Sequence, residues 1–144
     1  MQKKAHKYLS PVRNKEEIGS FLSYLEDLKR NILPDISVQS KSRIYNKEWV
    51  DAIELENMVL LLEASAGSAL YRTESRGVHF REDHPYTDNE EWLAETIIEF
   101  SDDDLRIGKR PLTLTAMKPP EDKIPYLEMM KKMMKMHSDT GGVH

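Results

Sequence analysis

The side chains best suited to chemistry lie in one short run, residues 79–84, which reads HFREDH. Imidazole and carboxylate groups this close together could in principle hold a divalent metal ion. Their spacing matches no standard ligand pattern, and the guanidinium of Arg81 in the middle opposes a bound cation. A salt-bridge cluster is therefore the favoured interpretation, with a metal site as the minor alternative.

Other common chemistries find no support in the sequence. The chain contains no cysteine, which excludes disulfides, thiolate nucleophiles, thiolate-bound zinc and iron–sulfur ligation by this chain. It has no phosphate-cradling glycine loop, so no nucleotide-binding site is predicted. Serine, histidine and aspartate are present without a spacing that would place them as a triad. The sequence therefore predicts no catalytic, cofactor-binding or metal-binding residue.

Charge is unevenly distributed along the 144 residues, whose formal net charge is −4. Residues 51–117 hold fifteen acidic and six basic side chains, so this central body repels nucleic-acid phosphates and gains nothing from counterion release. The longest fully apolar run, residues 58–62, is far shorter than the roughly 20 residues that a membrane span requires. Neither nucleic-acid binding nor a direct membrane span is expected.

An amphipathic helix is predicted over residues 15–32, where apolar residues recur at three- and four-residue spacing. Asn14 is its predicted cap, because Glu17 follows three residues later as in a capping box. Pro34 ends the pattern.

A second, longer helix is predicted over residues 47–75, with Asn46 as its cap. It should be the central helix, because apolar residues cover more than one of its faces. Its segment 64–69 consists of small residues, which permit another helix to approach closely. Gly77 is expected to close the helix in the left-handed conformation.

A β-hairpin is predicted from residues 92–100 and 105–114, on either side of a polar turn. A short helix at 92–98 is the alternative. Pro111 places the second strand at a sheet edge, because proline has no amide proton to donate.

The last part of the chain follows a proline pair and contains a methionine- and lysine-rich run at 125–137. A short helix is predicted there, with proline in its first turn. It is either an ordinary packed amphipathic helix or an adaptable docking surface for another domain or subunit, because unbranched thioethers repack easily.

These elements together predict a mainly α fold: a bundle of about three helices with a long central helix, a small β-hairpin and an extended carboxy-terminal tail. The predicted organisation is an amino-terminal arm at 1–13, a helical domain at 14–118, and a proline-rich tail with the short helix at 119–144. A helix pair that keeps one face for a further domain exposes an apolar patch, which can make the isolated domain a homo-oligomer.

The junction after the long helix carries the most specific pattern. Residues 72–85 read RTESRGVHFREDHP and follow a helix with the run LENM at 55–58. The pattern resembles the carboxy-terminal domain of the flavoprotein subunits of succinate dehydrogenase and fumarate reductase, whose junction has the form R-x-E-S-R-G-x-H-x-R-x-D-Y-P. The matching positions are Leu55, Asn57, Met58, Arg72, Glu74, Ser75, Arg76, Gly77, His79, Arg81, Asp83 and Pro85.

The resemblance extends over about residues 11–120. Asp88, Asn89 and Trp92 are similar to the D-x-x-W of the family. His84 departs from the usual tyrosine, which changes one packing or hydrogen-bond contact. The helix at 125–137 is not part of the resemblance.

The resemblance implies a structural role in an oxidoreductase. In the family, FAD, the dicarboxylate site and the catalytic arginine belong to an amino-terminal portion without counterpart in this sequence, so this chain alone should be inactive and bind no cofactor. The full-length subunit would hold FAD and interconvert succinate and fumarate by hydride transfer, in electron transport and the tricarboxylic acid cycle. Its implied partners are the flavin-binding portion and an iron–sulfur subunit, on the cytoplasmic, inner face of a membrane.

Eight junction residues are expected to form a structural and interdomain motif: Arg72, Glu74, Ser75, Arg76, Gly77, His79, Arg81 and Asp83. Their guanidinium and carboxylate groups can form an ion-pair network that pins the loop. Ser75 can bond a helix carbonyl, and His79 can hold a backbone group. Direct contact with substrate or flavin is the weaker alternative.

Two other identities fit parts of the sequence. The carboxy-terminal domain of L-aspartate oxidase also carries an E-S-R-G-x-H segment, although the Trp92 region and the hairpin favour the dehydrogenase and reductase branch. A free-standing helical interaction module derived from this domain is the second alternative.

Overall fold

Four α-helices and three pairs of short strands make up the described part of the chain, which in the computed structural model comprises residues 1–101, 104–115 and 123–140. For residues 136–140 only the backbone is described. The helices are α1 (Gln2–Tyr8), α2 (Lys15–Asp27), α3 (Lys47–Tyr71) and α4 (Tyr126–Thr140). The strands are β1 (Val12–Arg13), β2 (Phe80–Arg81), β3 (Tyr86–Asp88), β4 (Ala94–Ser101), β5 (Asp104–Pro111) and β6 (Lys123–Pro125). The predicted fold class is confirmed.

Helices α2 and α3 begin where the sequence predicts, because each cap binds a free amide of the first turn. The Asn14 side chain accepts a hydrogen bond from the amide of Glu17 at 2.9 Å. The Asn46 side chain accepts one from the amide of Trp49 at 3.1 Å. These local interactions fix both starts.

Helix α3 ends four residues earlier than predicted, at Tyr71 instead of 75. Arg72 leaves the helix with an extended backbone, φ −75° and ψ 109°. Gly77 does take the left-handed conformation, with φ +59°. It does so in the turn that joins Arg76 to His79 by paired backbone hydrogen bonds, so it shapes the loop and does not close the helix.

The hydrophobic core lies between α2 and the second half of α3. Two alanines of the small-residue segment, Ala66 and Ala69, are buried there against α2. The buried side chains of α2 and its final turn are Ile18, Phe21, Leu25 and Leu28. That final turn, Leu28–Ile32, is π-helical. The small residues of α3 therefore allow another helix to pack closely against them, as predicted.

The first residues, expected to form an arm, contain a helix that packs on this core. Met1, Ala5 and Tyr8 contact the core cluster, and the rings of Tyr8 and Phe21 lie 5.9 Å apart. Strand β1 then pairs in parallel with β2. A helix of seven residues is too short to show apolar periodicity, so its sequence gives no signal.

Strands β4 and β5 form the predicted antiparallel hairpin, and the alternative helix at 92–98 is wrong. One face of the hairpin lies against α3, so closely that a Cβ built on Gly67 would be 2.6 Å from Cδ1 of Ile107. The other face is charged and includes an ion pair of 2.6 Å between Arg110 and Glu95. The hairpin thus packs on α3 beside α2, since Leu22 of α2 and Ile107 of the hairpin line one cavity with Gly67.

The tail returns to the junction before α4 begins. Residues 116–122, which include the proline pair of the sequence, lie outside the described residues. Strand β6 pairs antiparallel with β3, and α4 starts directly after Pro125, close to the predicted start. Within the described ranges, no helix combines the length and apolar character that crossing a membrane requires.

Candidate functional site

Glu74 lies at the centre of the junction between α3 and β3, and it is completely buried. Its carboxylate accepts a hydrogen bond from Nε of Arg72 at 3.1 Å. Nε and Nη2 of Arg76 donate two more, at 2.8 and 2.9 Å. The amide of Asp88 donates a fourth at 3.0 Å. A buried carboxylate is costly unless it is paired, and here two guanidinium groups and one amide satisfy it.

Arg81 closes the end of α3, and only 1% of it is exposed. Its Nη1 donates to the carbonyl oxygens of Ala69, Leu70 and Arg72 at 2.8, 3.0 and 3.1 Å. Its Nε and Nη2 bind the two carboxylate oxygens of Asp83 at 2.8 and 2.6 Å. The last carbonyls of a helix have no partner within the helix, so Arg81 supplies the cap that the loop sequence does not.

Ser75 bonds the loop and not the helix, contrary to the prediction. Its hydroxyl donates to the carbonyl of His84 at 2.7 Å and accepts from the amide of Arg81 at 2.9 Å. The hydroxyl of Thr87 in turn donates to the carbonyl of Ser75 at 2.7 Å. The side chain of Arg81 is long enough to reach the helix carbonyls, and that of a serine is not. Ser75 instead links two parts of the loop, at Arg81 and at His84.

His79 is partly buried in a cationic environment. Burial lowers its pKa to about 4, and the positive charges of Arg13 and Arg81 act in the same direction. A hydrogen bond with the backbone of Arg72 acts against this shift, and it is a backbone contact of the predicted kind. Nε2 of the ring is buried, and no described residue offers it a hydrogen-bond partner. The imidazole is therefore neutral at pH 7.

The junction also binds the hairpin. Nη2 of Arg72 donates to the carbonyl oxygens of Trp92 and Ala94 at 3.0 and 2.8 Å. The indole of Trp92 donates to the hydroxyl of Thr73 at 3.0 Å and meets the ring of Tyr71 edge-on at 5.5 Å. These bonds join the end of α3 to the start of β4.

The run 79–84 does not assemble a metal site in the structure. Asp83 is held by Arg81, and this hydrogen bond lowers the pKa of its carboxyl group. Among the described residues, no group of three or more histidine, aspartate or glutamate side chains lies close enough to hold a metal ion. The arrangement suits a rigid connection, because its charges are matched to one another.

Sequence reasoning misses three polar contributors to the junction: Arg13, Thr73 and Thr87. Arg13 lies in the amino-terminal arm, which shows no periodicity. Thr73 has no motif signal beyond its place between Arg72 and Glu74. Thr87 belongs to the turn sequence TDN, which indicates a turn but not its partner.

Comparison with protein families decides what this domain is. The family model described as fumarate reductase flavoprotein C-term matches residues 1–124. The chain belongs to this family. The whole junction and the hairpin lie inside the matched region, whereas α4 begins after it.

Individual members of the family support this assignment. The succinate dehydrogenase flavoprotein subunit of Rickettsia felis is 31% identical over 118 residues, which cover 81% of this chain and 20% of that protein. The fumarate reductase flavoprotein subunit of Mycobacterium tuberculosis is 40% identical over 85 residues, 58% of this chain and 15% of that protein. The chain thus spans about a fifth or less of the length of these relatives.

Solved structures show the same fold. FrdA of a variant of E. coli quinol fumarate reductase superposes with a TM-score of 0.76 at 23% identity, covering 81% of this chain and 20% of that one. Mycobacterium smegmatis Sdh1 in complex with UQ1 gives a TM-score of 0.69 at 31% identity, covering 82% and 20%. These matches favour the dehydrogenase and reductase branch over the alternatives of an L-aspartate oxidase domain or a free-standing module.

Proposed function

We propose that this chain is the structural domain that supports the FAD-bearing portion of an enzyme interconverting succinate and fumarate, and that it is inactive by itself. The family match over residues 1–124 carries this proposal. The geometry of the junction supports it, because Glu74 and Arg81 are used in pairing with their neighbours and not in a reactive arrangement. The domain's contribution is a fixed surface beside the flavin.

FAD would be held by the amino-terminal portion of the full-length subunit, where it supplies hydride transfer to or from the dicarboxylate. The junction of this chain does not fit FAD. Its guanidinium groups are paired with Glu74 and Asp83, and the chain offers no glycine loop for the pyrophosphate. No step of the reaction is therefore assigned to a residue of this chain.

The partly exposed side of the junction is the surface proposed to face the flavin-binding portion. The side chains of Arg76, Asp83 and His84 are 34%, 30% and 39% exposed there. They are attached to the buried network, so a partner would meet polar side chains already held in position. This arrangement lowers the entropy lost on docking.

We further propose an iron–sulfur subunit as the electron acceptor of the complete enzyme, which would lie on the cytoplasmic, inner face of the membrane through its partner subunits. The relatives are named as succinate dehydrogenase and fumarate reductase flavoprotein subunits, and this naming supports the assignment.

The test is to isolate from its source the native polypeptide that contains this sequence, and to measure its intact mass and its visible spectrum. We expect a mass several times the 16.8 kDa of this chain, a flavin spectrum, and bleaching of that spectrum by succinate. A colourless polypeptide of 16.8 kDa would overturn the proposal.

A further inference from the structure

Helix α4 is anchored to the body through its first residue. The hydroxyl of Tyr126 donates to the carbonyl of Gly77 at 2.6 Å, and its amide donates to the carbonyl of Pro85 at 3.0 Å. Its ring lies 5.2 Å from that of Phe80. The start of α4 therefore has a fixed position on the junction, from which the rest of the helix extends.

Further along α4, apolar side chains are exposed beside basic ones. Leu127, Met133 and Met134 are 67%, 56% and 67% exposed. Residues 126–135 contain three lysines and one acidic residue, and the lysines are Lys131, Lys132 and Lys135. This surface lies outside the family match, which ends at residue 124. It is thus an apolar and basic helical surface beyond the part of the chain shared with the family.

The first half of α3 carries the complementary surface. Trp49, Val50 and Ile53 are 48%, 49% and 44% exposed. Residues 48–56 contain four acidic residues and no basic one, and the acidic residues are Glu48, Asp51, Glu54 and Glu56. The hairpin packs at Gly67, further along α3. This half of α3 is thus an apolar and acidic helical surface.

We propose that the 144-residue chain self-associates by placing α4 of one copy along the first half of α3 of a second copy. Met133 and Met134 would pack against the exposed apolar residues Trp49, Val50 and Ile53, since thioethers adapt to irregular apolar shapes. Lys131 and Lys135 would lie beside Glu54 and Glu56 of the second copy, because opposite charges flank the two apolar stripes.

The proposed assembly is a closed dimer in which this contact occurs twice. Every copy carries both the α4 surface and the α3 surface, so two copies related by a twofold axis make the same contact twice. The contact is assigned to Glu54 and Glu56 because they follow Val50 and Ile53 at four- and three-residue spacing and so lie on the same face of the helix. Asp51 pairs with Lys47 at 2.8 Å, and Glu48 accepts hydrogen bonds from two backbone amides. This inference goes beyond the proposed function, and sedimentation of the chain tests it separately from the mass and spectrum of the native polypeptide.

A charge-exchange experiment tests the proposal by sedimentation velocity. One variant carries Lys131→Glu and Lys135→Glu, and the other carries Glu54→Lys and Glu56→Lys. Each variant alone would place like charges in both contacts, and we expect its dimer dissociation constant to rise at least about tenfold. When the two variants are mixed, both contacts of the mixed dimer again join opposite charges, so the dimer should return.

Controls separate this result from general charge effects and from unfolding. Glu90→Lys with Glu99→Lys changes the net charge as much as the α3 variant but lies on exposed positions elsewhere, and it should dimerise like the parent chain. Circular dichroism checks that each variant keeps its helices. Leu127→Ser with Met134→Ser should also weaken the dimer, because it removes the apolar part of the contact.

Three outcomes would overturn the proposal. The parent chain could sediment as a monomer at all concentrations, the dimer could survive both charge reversals, or mixing the two variants could fail to restore it. A monomeric chain that co-sediments with vesicles of anionic lipid would assign α4 to a lipid surface instead. Loss of the dimer in each variant and its return on mixing would establish the contact between α4 and α3.

Discussion

The guanidinium of Arg81 donates a hydrogen bond of 2.8 Å to the carbonyl oxygen of Ala69, a residue of α3. Many helices end with a cap formed by the residues that follow directly. In this domain the cap comes from a strand that lies beyond a turn and that also pairs with β1. Arg81 therefore connects the end of α3, the loop and the amino-terminal segment. Because a few buried charged groups hold these three parts together, the stability of the domain depends on them.

Replacing Arg81 with leucine should destabilise the domain by about 3–5 kcal/mol, because two carbonyls of α3 and the carbonyl of Arg72 lose their donor and Asp83 loses its partner. Urea unfolding followed by circular dichroism measures the change. The matched control is Arg30→Leu, which removes an exposed arginine paired with Glu26 and should cost at most about 1 kcal/mol. Equal losses in the two variants would contradict the capping role of Arg81.

The substitution Glu74→Gln should cost about 3 kcal/mol, since it leaves the guanidinium groups of Arg72 and Arg76 together without an anion. The same change at Glu63, which pairs with Lys29 at the surface, is the control and should cost at most about 1 kcal/mol. A second substitution, Arg76→Gln, in the Glu74→Gln chain should recover part of the loss. Strictly additive losses in this double-mutant cycle would argue against a shared network.

Two glycines in helices should respond differently to alanine. Gly19 in α2 has open space where a Cβ would lie, so Gly19→Ala should stabilise the domain by up to about 1 kcal/mol through helix propensity. At Gly67 a Cβ would meet Cδ1 of Ile107 at 2.6 Å, and the gain should be smaller. Shortening the neighbour with Ile107→Val should restore it. Thermal unfolding of five chains checks this: the parent, the three single variants, and Gly67→Ala combined with Ile107→Val. An equal gain at both glycines would contradict the close packing of the hairpin.

His79 should make stability depend on pH. Its pKa is about 4 in the folded chain against an ordinary 6.5, so the unfolded state binds a proton in this window and the folded state does not. The stabilising effect is complete above pH 6.5 and is lost as the pH falls towards 4. We expect His79 to contribute about 2 kcal/mol to the free energy of unfolding, a value reduced because the ring is partly screened by solvent.

Comparison of the parent with His79→Gln isolates this contribution, because glutamine does not titrate. Urea midpoints measured from neutral pH to about pH 4 should fall less steeply in the variant. His6→Gln, which removes an exposed imidazole on α1, is the surface control. Identical curves for all three chains would show that His79 titrates normally in the folded state.

Features set by neighbouring residues could be read from the sequence. Asn14 and Asn46 cap their helices through bonds to amides three residues later, and such contacts depend on local chemistry alone. The hairpin also follows from local signals, since two β-rich runs flank a polar turn. The junction motif is recognisable by its resemblance to a family. The presence of ion pairs in this motif follows from its residue types.

Features set by distant residues could not be read in this way. The sequence places Ser75 next to a helix end, and only the folded chain shows that Arg81 takes the helix carbonyls. Gly77 is a natural helix terminator, yet α3 ends at Tyr71 because buried bonds to Glu74 draw the chain away from the helix axis. Such competition between several suitable partners is decided by tertiary geometry.

The parallel pairing of β1 with β2 has a consequence for the order of folding. The amides of Phe80 and Glu82 donate to the carbonyls of Pro11 and Arg13, so this short ladder closes a loop that contains both long helices. Closing so long a loop is entropically unfavourable until the helices have brought its ends together. The ladder should therefore form late and open whenever either helix frays. Hydrogen exchange at Phe80 and Glu82 would then report the cooperativity of the whole domain.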